Sequence, residues 1–204
     1  MYLILAGDPG LNTVVNGRLR SHNAGNLFNL AAQTQTDTLN SQGNAVIACR
    51  VSSVQDVEAA MTRNGLINGG VIYFGHGGGV TYSGDSNKYS ALLVGQAKGF
   101  YTNITAKNVN LLSNAKLGSN ITITLNGCNT GSRMPDGNPP IAQVLAKQLQ
   151  IAATGYDAYM HFSNDDGDND KTVAGSGNPY GLPMYMNPDG KPPRKLPIAF
   201  YPPK

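Results

Sequence analysis

The stretch Gly70-Val71-Ile72-Tyr73-Phe74-Gly75-His76-Gly77-Gly78-Gly79 decides the reading of this chain. Its apolar run is too short for a helix and suits one buried strand. A strand that is apolar at nearly every position is covered on both faces, as in a parallel sheet between two helical layers. The glycine run around His76 ends it. Outward toward the N-terminus the same grammar repeats. Val54, Val57 and Met61 recur three or four apart, Ser52 and Gln55 have capping-box spacing, and Gly65 can close that helix. Before it come a strand over 45–51 containing Cys49, a helix over 27–39 closed by Gly43, a polar loop over 11–25, and a strand over 2–6 stopped by Gly7-Asp8-Pro9-Gly10.

Outward toward the C-terminus, 80–82 and 91–94 pair as a small antiparallel addition, and 105–115 forms a helix closed near Gly118. A fourth strand over 121–125 ends in Asn126-Gly127-Cys128-Asn129-Thr130-Gly131. Asn138 suits an N-cap and Pro139 a first helical position, followed by the stripe Ile141, Val144, Leu145, Leu149. A fifth strand over 156–162 sets Tyr156, Ala158, Met160 and Phe162 on one face and Asp157, Tyr159 and His161 on the other. The last thirty residues hold eight prolines and read as turns, extended chain and one short hairpin. Strands alternating with helices predict an α/β fold, a mostly parallel central sheet with helices on both faces. The expected organisation is one domain over 1–180 and a Pro-rich extension, 181–204, packed on it or trailing from it. No internal repeat interrupts this.

Composition bounds the function. The chain has 204 residues, enough for a sizeable core, and 40% are hydrophobic. Only 13% are charged, against about 25% in ordinary globular chains. The polar surface is made instead by 22 Asn and 25 Gly among short loops. A net charge of +3 is too small to imply nucleic acid, and Lys191 to Lys195 reads as a solvated tail. No apolar run approaches a membrane span, and residues 1–6 are too short for the core of a secretory signal. Either a bacterial cytoplasmic location or secretion as part of a larger protein fits. Two cysteines form neither a disulfide framework nor a metal-ligand pattern, so no metal or cofactor is expected.

His76 and Cys128 hold equivalent places, each just past the C-terminal end of an apolar strand. In an open parallel sheet these ends share one edge, where ligands bind. If the two strands are neighbours, the edge brings the imidazole and the thiol together across 52 residues of sequence. An imidazole can take the thiol proton and later protonate a leaving amine. Backbone N–H groups at Gly77 and Cys128 are the natural donors to an oxyanion. A side chain at Gly77 would obstruct substrate, and Gly127 permits a sharp turn. Each residue also has a plainer reading: a packed thiol, a structural His, or a glycine loop cradling phosphate. The last lacks a P-loop's Lys-Ser/Thr ending and a dinucleotide fingerprint, and no Gly-x-Ser-x-Gly elbow points to an esterase.

The segments Val71-Ile72-Tyr73-Phe74-Gly75-His76-Gly77 and Thr124-Leu125-Asn126-Gly127-Cys128-Asn129-Thr130-Gly131 resemble the caspase-like clan of cysteine peptidases, especially the bacterial branches near the CHAT domains. The His-to-Cys gap also agrees with the caspase-type separation of about 50. The resemblance implies a three-layer caspase-like sandwich and peptide hydrolysis by a His76–Cys128 dyad through an acyl-enzyme. It implies a protein or peptide substrate, with a parent polypeptide or regulatory partner as the other expected contact. Asn126-Gly127 stands where true caspases carry Gln-Ala, and no arginine falls where an acid-binding pocket would sit, so an Asp preference does not follow. Clan members that cut after Lys or Arg use a carboxylate near the fifth strand. Asp157, Asp165, Asp166, Asp168 and Asp170 are the candidates, and a basic residue before the cut is the corresponding expectation. The acidic stretch also reads as a solvated loop or, less well, as a calcium loop without the Gly and Glu of an EF-hand. Cys49 reads as a buried small hydrophobe, His161 as packed and His22 as exposed. A fold-retaining binding or scaffold module and another Cys-dependent acyl-transfer enzyme are the competing functions.

Overall fold

A computed structural model describes residues 1–7, 13–15, 18–20, 24–95, 99–157, 159–162, 183–186 and 197–203. In chain order the elements are β1 (Tyr2–Gly7), β2 (Thr13–Val15), β3 (Arg18–Arg20), α1 (Ala24–Ser41), β4 (Val46–Val51), α2 (Val54–Thr62), β5 (Gly70–Phe74), β6 (His76–Val80), β7 (Tyr89–Leu93) and β8 (Asn103–Ile104). A single 3-10 turn, Val109–Leu111, precedes β9 (Thr122–Asn126), α3 (Ile141–Leu149), β10 (Ala152–Gly155), β11 (Tyr159–Phe162), β12 (Pro183–Met186) and β13 (Ile198–Phe200).

The central sheet has six strands in the order β13-β10-β9-β5-β1-β4. All neighbours are parallel except β13, which runs antiparallel along β10. The chain steps from β1 to β4 through α1, then reverses over β1 to β5 through α2. Right-handed crossovers in opposite directions put their helices on opposite faces, and the core divides accordingly. Ile4, Ala6 and Phe74 bury against Phe28, Ala31, Ala32 and Leu39 of α1. Leu3, Leu5, Val71, Tyr73, Ile123 and Leu125 bury against Val54, Val57 and Met61 of α2 and Ile141, Leu145 and Leu149 of α3. Strand period 2 sends alternate residues of β1 and β5 into the two layers. The mostly parallel α/β sheet with helices on both faces is therefore as expected. No described helix is long and apolar enough to cross a membrane.

Several boundaries move for identifiable reasons. The cap of α2 is Ser53, whose hydroxyl accepts from the Asp56 N–H at 3.1 Å, while the Asp56 carboxylate accepts from the Ser52 N–H and hydroxyl. The box is Ser53–Asp56, one residue on from the Ser52–Gln55 spacing. α3 begins at Ile141 with Pro140 at its cap, not at Asn138 and Pro139. A residue preceding proline is held out of the helical region, and Pro139 precedes Pro140. The Asn138 amide instead donates to the Lys88 carbonyl at 2.9 Å. The fifth sheet strand is Ala152–Gly155, while Tyr159–Phe162 leaves the sheet to pair with Pro183–Met186.

The helix expected over 105–115 is absent. Asn108 is fully buried, and its carboxamide oxygen accepts from the Thr105 N–H at 2.8 Å. Its amide donates to the carbonyls of Asn103 and Phe100. Side-chain bonds of this kind compete with the helical ladder and win where several are made at once. Asn108→Ala should lower unfolding free energy by about 2–4 kcal/mol, because three backbone groups lose their partner. Urea denaturation checks this, and an unchanged midpoint would show that water replaces the carboxamide without loss.

Candidate active site

β5 and β9 lie side by side in parallel, with Phe74 opposite Asn126. The pairing continues one step further, the Gly75 N–H donating to the Asn126 carbonyl at 3.2 Å. His76 and Cys128 therefore leave neighbouring strands at the same level of one sheet edge. Both are half-buried. The two loops are in backbone contact: a Cβ built on Gly77 would stand 2.2 Å from the Cys128 carbonyl oxygen and 2.7 Å from Cγ2 of Thr130. One built on Gly127 would stand 2.8 Å from the Gly75 carbonyl oxygen and 3.2 Å from the Gly77 nitrogen. The first obstacle to a side chain at Gly77 is thus the backbone of Cys128. The two proposed oxyanion donors, Gly77 and Cys128, belong to these touching segments.

The glycine run is a strand, not a loop. His76–Val80 pairs antiparallel with Tyr89–Leu93, which moves the expected hairpin from 80–82 back to His76 itself. N–H groups of an extended strand alternate in direction and cannot converge on one phosphate as a nest does. Below His76, the Tyr73 phenol is 1% exposed and donates within 3.2–3.3 Å of the carbonyls of Leu93 and His76. Burial raises its pKa well above the ordinary tyrosine value, so it stays a donor. It fixes the backbone of His76 to the first residue pair of the hairpin. On the other face, the Phe28 ring meets the imidazole edge-to-face, with centroids 5.0 Å apart and planes at 88°.

Past Cys128 the chain turns at once. Asn129 has φ +55°, a left-handed conformation that Asn tolerates better than most residues. Thr130 then anchors the loop. It is fully buried; its hydroxyl lies 3.1 Å from the Gly127 carbonyl and 3.2 Å from that of Leu125, and accepts from the Tyr156 N–H at 3.1 Å. The Thr130 carbonyl accepts from the Ala142 N–H in the first turn of α3, and the Gly131 N–H donates to the Tyr156 carbonyl at 2.8 Å. One side chain thus ties the Cys128 loop to the end of β10. Sequence reasoning gave Thr130 no role; its only signal was a Thr two residues past a turn-bound Cys.

The Tyr156 contacts bring Asp157, the residue after it, to the same edge, where it is exposed. Asp165, Asp166, Asp168, Asp170 and His22 lie outside the described residues, as does the side chain of His161. Cys49 is half-buried on the edge strand β4, packed against the core rather than enclosed by it, and desolvation raises its pKa. Cys49 and Cys128 are both thiols. Among the described residues no cluster of three His, Cys, Asp or Glu could hold a metal ion. Two open hollows of about 510 and 420 Å3 lie along α2 and α3 and are lined by neither His76 nor Cys128. The candidate site lies at the converging strand ends.

No family model matches the chain, and no curated protein matches it. It is similar to a protein from Geobacter sulfurreducens of known crystal structure, with a TM-score of 0.41 and 16% identity over 80% of this chain and 73% of that one. A likeness this slight carries no functional inference.

Thr130→Val keeps the shape and strands the Tyr156 N–H, so it should lose about 1–3 kcal/mol of stability. Thr130→Ser keeps the hydroxyl and should lose under about 1.5 kcal/mol, close to the removal of one methyl group. Thermal unfolding of the two variants compares them, and a loss in Thr130→Ser with none in Thr130→Val would assign the role of Thr130 to its methyl group.

Proposed function

We propose that the protein is a cysteine endopeptidase of caspase-like type, using Cys128 as nucleophile and His76 as its acid–base partner. The observation that carries this reading is the backbone contact between Gly77 and Cys128 at the ends of adjacent parallel strands. The sheet, five parallel strands and an antiparallel sixth between helical layers, is compatible with the caspase-like sandwich that the sequence resemblance implies.

In this reading His76 takes the Cys128 proton, and the thiolate attacks the scissile carbonyl carbon. The carbonyl electron pair moves to oxygen, where the N–H groups of Gly77 and Cys128 meet the developing charge. Collapse breaks the C–N bond, the imidazolium gives its proton to the leaving amine, and the acyl group stays on sulfur as a thioester. Water, deprotonated by His76, releases the acid and restores the thiol. Thr130 and the turn at Asn129 hold the nucleophile's backbone through these steps, which need little reorganisation of the loop.

In this reading Asp157, the described member of the acidic candidates, receives a basic residue before the cut. It follows Tyr156, whose backbone is bonded to the Cys128 loop. A Lys or Arg paired with it in a partly desolvated pocket gains both affinity and orientation.

Cys128→Ala should abolish cleavage of a peptide library read by mass spectrometry, and His76→Ala should reduce it by about 100-fold or more. Undiminished cleavage by the Cys128→Ala protein would remove the peptidase reading. Asp157→Asn should lower kcat/KM on Lys- or Arg-containing sites by about tenfold or more while leaving other sites unchanged. An equal loss on all sites would take Asp157 out of the pocket.

A further inference from the structure

The imidazole of His76 is held by more than its own strand. Phe28 is 3% exposed and sits in the α1-side cluster with Ile4, Ala6, Ala31 and Phe74. His76 opens the next strand just past Gly75, and its ring meets Phe28 in this layer. The two rings meet at 5.0 Å and 88°, the edge-to-face geometry that aromatic quadrupoles favour. A ring in that contact has a preferred plane, which confines each imidazole nitrogen to two directions related by a ring flip. Tyr73 holds the carbonyl of the same residue from the opposite layer.

We propose that Phe28 is a positioning residue for His76, setting the plane of the imidazole so that one nitrogen addresses the Cys128 thiol; this rests on the dyad reading above. Phe28 does no chemistry. It links the catalytic edge to α1, the helix on the face opposite α2 and α3. Proton exchange between imidazole and sulfur depends steeply on alignment, so a His76 free to rotate leaves the thiol with ordinary acidity at neutral pH.

The test is the rate at which iodoacetamide alkylates Cys128 at neutral pH, measured on the tryptic peptide 117–133, which contains one cysteine. Ring carbon and proton shifts of His76 are recorded by NMR on the same proteins. Phe28→Met removes the ring at similar volume, Phe28→Tyr keeps it, and Leu39→Ala weakens the same helix packing away from His76. The expected result is alkylation about tenfold slower in both His76→Ala and Phe28→Met, with moved His76 ring signals in the latter. Phe28→Tyr and Leu39→Ala should keep the wild-type rate. A wild-type rate in Phe28→Met beside a slow His76→Ala would overturn the role of Phe28 and leave the dyad standing. Equal slowing in Leu39→Ala would reduce that role to general packing. A wild-type rate in His76→Ala would remove the dyad, and the proposal with it.

Discussion

The site depends on a steric constraint more than on any one side chain: two strand ends run side by side with no room between them. The Gly77 position touches the Cys128 carbonyl and the Gly127 position touches the Gly75 carbonyl, so a methyl group at either would push the strand ends apart. Glycine at both places lets the β5–β9 pairing run past its last apolar residues into the segments that carry His76 and Cys128. Close approach is therefore built into the backbone before any imidazole or thiol is oriented.

Orientation is the work of buried groups around that contact. Tyr73 fixes the His76 carbonyl from one layer and Phe28 meets its ring from the other. Thr130 ties the Cys128 loop to β10, and its carbonyl receives an N–H from α3. Each of these polar atoms would be stranded if its partner were removed, which makes the arrangement rigid as well as close. The left-handed turn at Asn129 persists because Thr130 fixes the chain directly after it. The result is a half-open edge with Cys128 on a short, overdetermined turn.

Much of this was legible in the sequence. The apolar runs at 2–6, 45–51 and 70–74 and the alternating Ile-Thr-Ile-Thr-Leu at 121–125 mark four of the parallel strands. The equivalent places of His76 and Cys128 followed from those runs. What stayed hidden was set by tertiary partners. One exception is local: the Asn108 carboxamide holds backbone groups of Thr105, Asn103 and Phe100, and the spacing of apolar residues does not show that these bonds displace the helical ladder. Small residues conceal the strand Ala152–Gly155, since Ala-Ala-Thr-Gly lacks the bulk that marks a strand. Gly77–Gly79 looks like a loop until its antiparallel partner Ser90–Leu92 is known. Thr130, though inside the segment around Cys128, and Phe28 drew no role from the sequence, because their value lies in what reaches them from elsewhere in the chain.

The account stands on Cys128 forming a thioester with the acyl part of its substrate. Mixing the protein with a cleavable peptide, quenching in acid within the first turnover and digesting with trypsin gives that species directly. The account predicts the acyl mass on the peptide 117–133, absent when position 128 is Ala. Cleavage that proceeds with no mass added there, or with the mass on the peptide bearing Cys49, would contradict it.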